Sequence, residues 1–209
     1  MNKQEKFVIT INRELGSGGR TVGRKLADKL NVEFYDKAII RGLTEKFNLT
    51  VEEVEKMKGK SRSWWTEFVN NLNAGLGLTP TGQVPEKYEV PTTEEMFKLE
   101  TEILKGIAEA GSCVVAGRSG FYVFRDEPNS LSILIQASMP FRIQRVMRKQ
   151  NLSESEARKT IEKVDKMREN YVQKYTNTSR YDTRNYDLII SADGKTEDEI
   201  VDIIMDYIG

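Results

Sequence analysis

Apolar residues along this chain come in short, separated blocks, alternating with longer stretches of helical periodicity. Residues 7–11, Phe7-Val8-Ile9-Thr10-Ile11, are apolar and β-branched, and predict a buried strand ending near Asn12. The segment from Val22 to Leu30 has helical spacing, and the helix is predicted to begin at about Gly19. Val32-Glu33-Phe34-Tyr35 predicts a second short strand closed by Asp36, with helical patterning from Asp36 to about Lys46. Thr50 with Glu53 reads as a capping box for a helix over 51–57, and Thr92 with Glu95 caps a long helix over 93–110 that Gly111 stops. Cys113-Val114-Val115-Ala116-Gly117 and Leu131-Ser132-Ile133-Leu134-Ile135 are continuous apolar runs of the kind found in buried parallel strands. A basic helix is predicted over 140–150. Ser153 with Glu156 caps a charged helix reaching about Tyr175. Leu188-Ile189-Ile190 predicts a last strand, and Thr196 with Glu199 caps a final helix to Tyr207. Strands alternating with helices predict an α/β fold: a parallel sheet of about five strands with helices on both faces.

Residues 59–91 interrupt this rhythm with Trp64, Trp65, several glycines and Pro80, Pro85 and Pro91. A short helix over 63–72 followed by a loop is expected there. Trp64-Trp65 reads as packing of an insertion onto the body, or as an aromatic pair facing substrate or a second copy of the chain.

Composition narrows the chemistry. A chain of 209 residues is one domain or one domain with an inserted lobe. Lys+Arg 32 balances Asp+Glu 32, so bulk charge points to neither nucleic acid nor an acidic partner. The single cysteine, Cys113, excludes an internal disulfide framework and reads as buried filler rather than a reactive thiol. No apolar stretch is long enough for a membrane span, and residues 1–7 lack a signal-peptide core, so a cytoplasmic location is expected. Histidine is absent, which removes a histidine base and histidine-held zinc or iron. Any metal must take oxygen ligands, which favours magnesium or calcium.

The segment Gly16-Ser17-Gly18-Gly19-Arg20-Thr21 lies between the first strand and the first helix. Strand, glycine loop and helix form a phosphate cradle, because backbone N–H groups and a helix N-terminus face an anion together. Glycine also simply permits a tight bend. A dinucleotide site would need Gly-x-Gly-x-x-Gly and a later acid; Gly16, Gly18 and Asp36 satisfy part of that, but Thr21 occupies the third position.

Residues 9–30, ITINRELGSGGRTVGRKLADKL, resemble the opening of the cytidylate kinase-like proteins, a branch of the P-loop nucleoside-monophosphate kinases. Asp36 to Arg41, Val115 to Arg118, Gln136-Ala137-Ser138 with Arg142 and Arg145, and Asp165 to Arg168 extend the resemblance across nearly the whole chain, the insertion excepted. The resemblance implies a single three-layer P-loop NTPase domain over 1–209, with an acceptor-side helical insertion at 42–92 and a lid-like helical region at 142–180. It implies ATP or another NTP and Mg²⁺ as cofactors. Gly16, Ser17, Gly18, Gly19, Arg20 and Thr21 would hold the nucleotide phosphate, with the Thr21 hydroxyl on magnesium. Arg20, Arg118, Arg142 and Arg145 would supply catalytic charge. Asp36, Arg41, Arg118, Asp165 and Arg168 would hold the acceptor. Read without the resemblance, Arg145 and Arg148 are also consistent with a solvated face, and Asp165 with Arg168 as an i,i+3 pair.

The chain departs from standard cytidylate kinases at three places. Gly19 stands at the loop lysine position, with Arg20 beside it as the candidate replacement; Ser119 replaces an aspartate after Arg118; and Ile161 replaces an arginine. Two functions fit: an ATP- and magnesium-dependent kinase acting on a CMP-like monophosphate or another small substrate, or a catalytically weak nucleotide-binding regulatory protein. The expected partner is a small-molecule nucleotide, with neither nucleic acid nor membrane, and a homodimer is one reading of the aromatic pair.

Overall fold

The structure is a computed structural model that describes residues 1–36, 40 and 94–209. The helices expected at 51–57 and 63–72, the cap at Thr92, Arg41 and the Trp64-Trp65 pair lie outside the described residues. In chain order the elements are β1 (Val8–Arg13), α1 (Gly19–Leu30), β2 (Glu33–Asp36), α2 (Glu94–Ala110) and β3 (Cys113–Ala116). There follow α3 (Gly120–Val123), β4 (Ser130–Gln136), α4 (Met139–Gln150), α5 (Glu154–Thr176), a 3₁₀ turn (Thr183–Asn185), β5 (Leu188–Ser191) and α6 (Glu197–Ile208).

The five strands form one parallel sheet in the order β2-β3-β1-β4-β5. The register sets β1 in the centre, with Ile11 opposite Ala116 of β3 and Arg13 opposite Ile135 of β4. The chain moves to one side of β1 for β2 and β3 and to the other for β4 and β5. Ligands bind at such a switch point, beyond the carboxyl ends of the strands.

Strand alternation assigns the faces. Ile9 and Ile11 of β1 join Val114, Ile133, Ile135 and Ile190 under α1 and α6, which contribute Val22, Leu26, Ile200 and Ile204. The opposite face of the sheet carries Val8, Cys113 and Val115, covered by Leu99, Ile103, Leu104 and Ile107 of α2. Helices therefore cover both faces, as the alternation predicts. A third cluster lies off the sheet, where Leu15 packs among Ile143 and Val146 of α4 and Ala157, Ile161 and Val164 of α5. That cluster fastens the loop after β1 to the helical pair that follows β4.

Most of the predicted boundaries agree with the structure to within a residue or two. The boxes at Ser153/Glu156 and Thr196/Glu199 both form, each satisfying two backbone donors at a helix start. Asp36 closes β2 as the sequence predicts, and the helical patterning expected up to about Lys46 lies, apart from Ile40, outside the described residues. Four-residue α3 and the 3₁₀ turn have no counterpart in the sequence reading, because elements that short carry no measurable periodicity. No helix among the described residues is long and apolar enough to cross a membrane.

Cys113 begins β3 and is 1% exposed. Burial pushes its thiol up to about 12, so little thiolate forms at neutral pH. It is the chain's one cysteine. A disulfide-exchange reagent is expected to leave the folded protein unlabelled and to label one thiol per chain in denaturant; stoichiometric labelling of folded protein within minutes would contradict this packing.

Candidate functional site

The carboxyl edge of the sheet is shaped first by glycine. Gly16 and Gly18 both have left-handed backbones, φ 89° and 88°, a conformation open to glycine at little cost. A Cβ on Gly16 would come within 2.8 Å of the Arg142 carbonyl oxygen, so the loop can pass α4 only without a side chain there. Gly18 is the N-cap of α1 and offers no side chain to the helix's first N–H groups. Such an uncapped start has orphan donors and a positive dipole end directed at the space beyond β1. Ser17 turns inward, donating its hydroxyl to the Glu14 carbonyl at 3.0 Å. Thr21 stands in the first turn of α1, its N–H donating to the Gly18 carbonyl at 2.9 Å.

A buried carboxylate fixes this loop from below. Asp165 of α5 accepts the Leu15 N–H at 3.0 Å and the Arg142 guanidinium. Arg142 donates Nε to the Leu15 carbonyl at 2.9 Å and pairs Nη1 with the Glu14 carboxylate at 3.1 Å. Glu14 in turn accepts the Ala137 N–H at 3.0 Å. Arg142 thus spends its donors on Glu14 and Leu15 of the loop and on Asp165 beneath it. Asp165 stands beneath the loop as its anchor. Its separation from Arg168 is 3.9 Å, so the i,i+3 pair is the weaker of its contacts.

Other cations gather around the same edge. The Arg145 guanidinium carbon would lie 3.4 Å from a Cβ on Gly18, against the cradle, while Nη2 pairs with Glu197 at the start of α6. Arg168 donates to the Arg13 carbonyl at 3.1 Å. Arg180 donates to the same carbonyl and stands 3.6 Å from Asp165. It is fully buried, and its Nε and Nη1 have no hydrogen-bond partner among the described residues. Burial, and then the Arg168 charge, lower its pKa from the usual arginine value. Arg20 turns away from the loop axis toward β2, where Nε meets Asp36 Oδ2 at 2.5 Å.

Arg118 lies on the β3 side of the crevice. Gly117, Arg118 and Ser119 have φ of 81°, 55° and 54° in succession. Two adjacent non-glycine residues in this region cost on the order of 1 kcal/mol or more each, and such strain persists where the surroundings over-determine it. Arg118 is held by an ion pair with Glu100 of α2, both side chains nearly inaccessible, and by the Tyr171 ring 5.1 Å below its guanidinium carbon. Tyr171 also donates its hydroxyl to Glu100 at 3.3 Å.

The structure therefore brings together Gly16 to Thr21, Arg142, Arg145, Asp165 and Arg168. Arg20 with Asp36, and Arg118 with Glu100, form the wall on the β2–β3 side. The sequence reading passed over Arg13, Glu100 and Arg180. Glu100 was legible, since it shares the apolar i, i+3, i+4, i+7 stripe of Ile103, Leu104 and Ile107. Arg13, a charge at the very end of a buried strand, carried the same kind of signal. Arg180 lies in an aperiodic polar stretch that gives none. Among the described residues no group of three or more His, Cys, Asp or Glu side chains could hold a metal. A magnesium ion here would lean on phosphate oxygens, water and the Thr21 hydroxyl, as magnesium commonly does.

Comparison with known proteins agrees with this geometry. A family model described as "Cytidylate kinase-like family" matches residues 8–193. The chain is 28% identical to a uronate isomerase of Corynebacterium glutamicum over 99% of its own length but only 39% of that protein. It is 21% identical to a cytidylate kinase of Sulfolobus acidocaldarius, covering 96% of this chain and 93% of that one. Thus the chain spans well under half the length of the uronate isomerase but nearly all of the cytidylate kinase. A crystal structure of an uncharacterized protein from Eubacterium ventriosum superposes with TM-score 0.67 at 25% identity, covering 98% of both chains. Shikimate kinase from Bacteroides thetaiotaomicron shares the fold, with TM-score 0.51 at 15% identity over 97% of this chain and 98% of that one. The sheet order and helical layers are those of P-loop kinases.

Replacing Asp165 by Asn leaves Arg142 and Arg180 facing a neutral group inside the protein. Uncompensated buried charge costs about 3 kcal/mol or more. Urea unfolding of Asp165→Asn is expected to show a loss of that size; a midpoint equal to wild type would show that Asp165 does not anchor the loop.

Proposed function

The chain belongs to the cytidylate kinase-like family, and from that footing we propose that it transfers the γ-phosphoryl group of ATP, with magnesium, to a small acceptor of the nucleoside-monophosphate class. CMP is the first candidate, and another small phosphorylatable metabolite is the alternative acceptor. The observation that carries the reading is the uncapped start of α1 at Gly18-Gly19, placed at the carboxyl edge of the central strand with Arg145 against it.

Phosphoryl transfer asks a protein for in-line positioning and charge neutralisation rather than covalent help. The N–H groups of Gly18 to Arg20 would face the β-phosphate, and the Thr21 hydroxyl would reach the magnesium that ATP brings. Arg145 would meet phosphate oxygens from the α4 side. Arg118, on its strained turn, and Arg168 would hold the acceptor phosphate, with Arg41 as a further expectation. Asp36, kept in place by Arg20, would meet acceptor atoms at the end of β2. Bidentate arginines suit this work because the planar fork matches phosphate and stays charged.

One observation favours a second reading. Gly19 stands where a lysine would bridge the phosphates, and Arg20 is turned onto Asp36. A nucleotide-binding regulatory protein would tolerate that arrangement.

Two assays separate the readings. Protein supplied with ATP, magnesium and a panel of nucleoside monophosphates and small metabolites is expected to release ADP at least about tenfold faster with one acceptor than with none, a difference of 1.4 kcal/mol in barrier. ATP binding with silence across the panel supports the regulatory reading. Arg20→Ala is expected to raise the acceptor's KM by about tenfold with little change in the KM for ATP, the signature of lost acceptor binding. The reverse pattern would return Arg20 to the nucleotide side.

A further inference from the structure

Arg13 is the last residue of β1 and is only 8% exposed, at an edge where ligands are expected. Phosphate loops read Gly-x-x-x-x-Gly-Lys after their strand. With Gly18 as the second glycine of that pattern, the lysine position is Gly19 and the first-glycine position is Arg13. The chain has thus gained a long cation at the first glycine and lost one at the lysine.

The two positions are in direct contact. A Cβ built on Gly19 would lie 2.5 Å from the Arg13 Cβ and 3.1 Å from its Cγ. A side chain at 19 and the Arg13 stem cannot share that space, so the arginine excludes the lysine sterically. From there the Arg13 side chain crosses to β3, where its Nη1 lies against Gly117 closely enough that no Cβ fits. Two glycines on opposite walls of the crevice therefore leave room for one guanidinium. Its backbone is pinned as well, because the Arg13 carbonyl accepts from both Arg168 and Arg180. Two arginines, Arg168 and Arg180, and two glycines, Gly19 and Gly117, are thus arranged around this one residue.

We propose that Arg13 is the phosphate-bridging cation of this site, entering the crevice from the end of β1 to replace the lysine that Gly19 lacks. The assignment rests on the kinase reading above. It moves the role of Arg20 wholly to Asp36 and the acceptor side. An arginine here would contact the β- and γ-phosphate oxygens of ATP through two nitrogens, where a lysine offers one.

The test is a positional swap read by calorimetry with ATP and magnesium. Arg13→Met keeps much of the stem and removes the charge; its affinity for ATP is expected to fall at least tenfold, with the fold retained by circular dichroism. Arg13→Gly is expected to lose the same affinity. The double variant Arg13→Gly, Gly19→Lys restores the Gly-x-x-x-x-Gly-Lys pattern in the vacated space. It is expected to bind ATP within about threefold of wild type. Rescue by a lysine six positions away is something a purely structural role of Arg13 would not give. If Arg13→Met does not fold, the double variant alone decides. Wild-type affinity in Arg13→Met, or a folded double variant as weak as Arg13→Gly, overturns the assignment and leaves the kinase reading standing. Wild-type protein that binds no ATP overturns both.

Discussion

One buried carboxylate allows this site to exist. Asp165 holds the Leu15 N–H and the Arg142 guanidinium, with Arg168 and Arg180 within 3.9 Å. Guanidinium groups repel one another and resist leaving water, so a cluster of them at a protein edge needs a negative charge in its midst. Asp165 supplies that charge from a helix that also packs Ile161 and Val164 against Leu15. Electrostatic and apolar contacts therefore tie the same loop to the same helix. A cradle fixed in this way meets an anion without reorganising, which is where preorganised donors gain their advantage.

The sheet supplies the rest of the geometry. Central β1 brings Arg13 to the point where the chain switches sides, opposite Ile135 and two residues beyond the Ile11–Ala116 pair. The β3 turn bends through three successive left-handed residues, Gly117 to Ser119, with Gly117 against the Arg13 guanidinium. On one wall, Arg142 and Arg145 of α4 pair with Glu14, Asp165 and Glu197; on the other, Arg20 and Arg118 pair with Asp36 and Glu100.

The fold was legible because its signals are local. Apolar runs at Val8 to Ile11, Cys113 to Ala116 and Ser130 to Gln136 announce buried strands, and capping boxes at Ser153 and Thr196 mark helix starts to the residue. The glycine loop was legible for the same reason. The partners of each charged side chain were not, because an arginine's spacing along a helix does not say which acid it meets. Arg142 reads from sequence as a lid cation and is spent on Glu14, Leu15 and Asp165. Arg20 reads as the neighbour of a missing lysine and is turned to Asp36. Arg180 offers no pattern at all and is the most deeply buried charge of the site. Long-range electrostatics is decided by the tertiary fold, and a one-dimensional reading supplies only the candidates.

The most direct test of the phosphate edge is a crystal structure grown with ADP and magnesium. The β-phosphate is expected within the turn of Gly16 to Thr21, with nitrogen atoms of Arg13 and Arg145 about 3 Å from its oxygens. A nucleotide bound elsewhere on the molecule, or a β-phosphate in the loop with Arg13 turned away from it, would contradict the central claim.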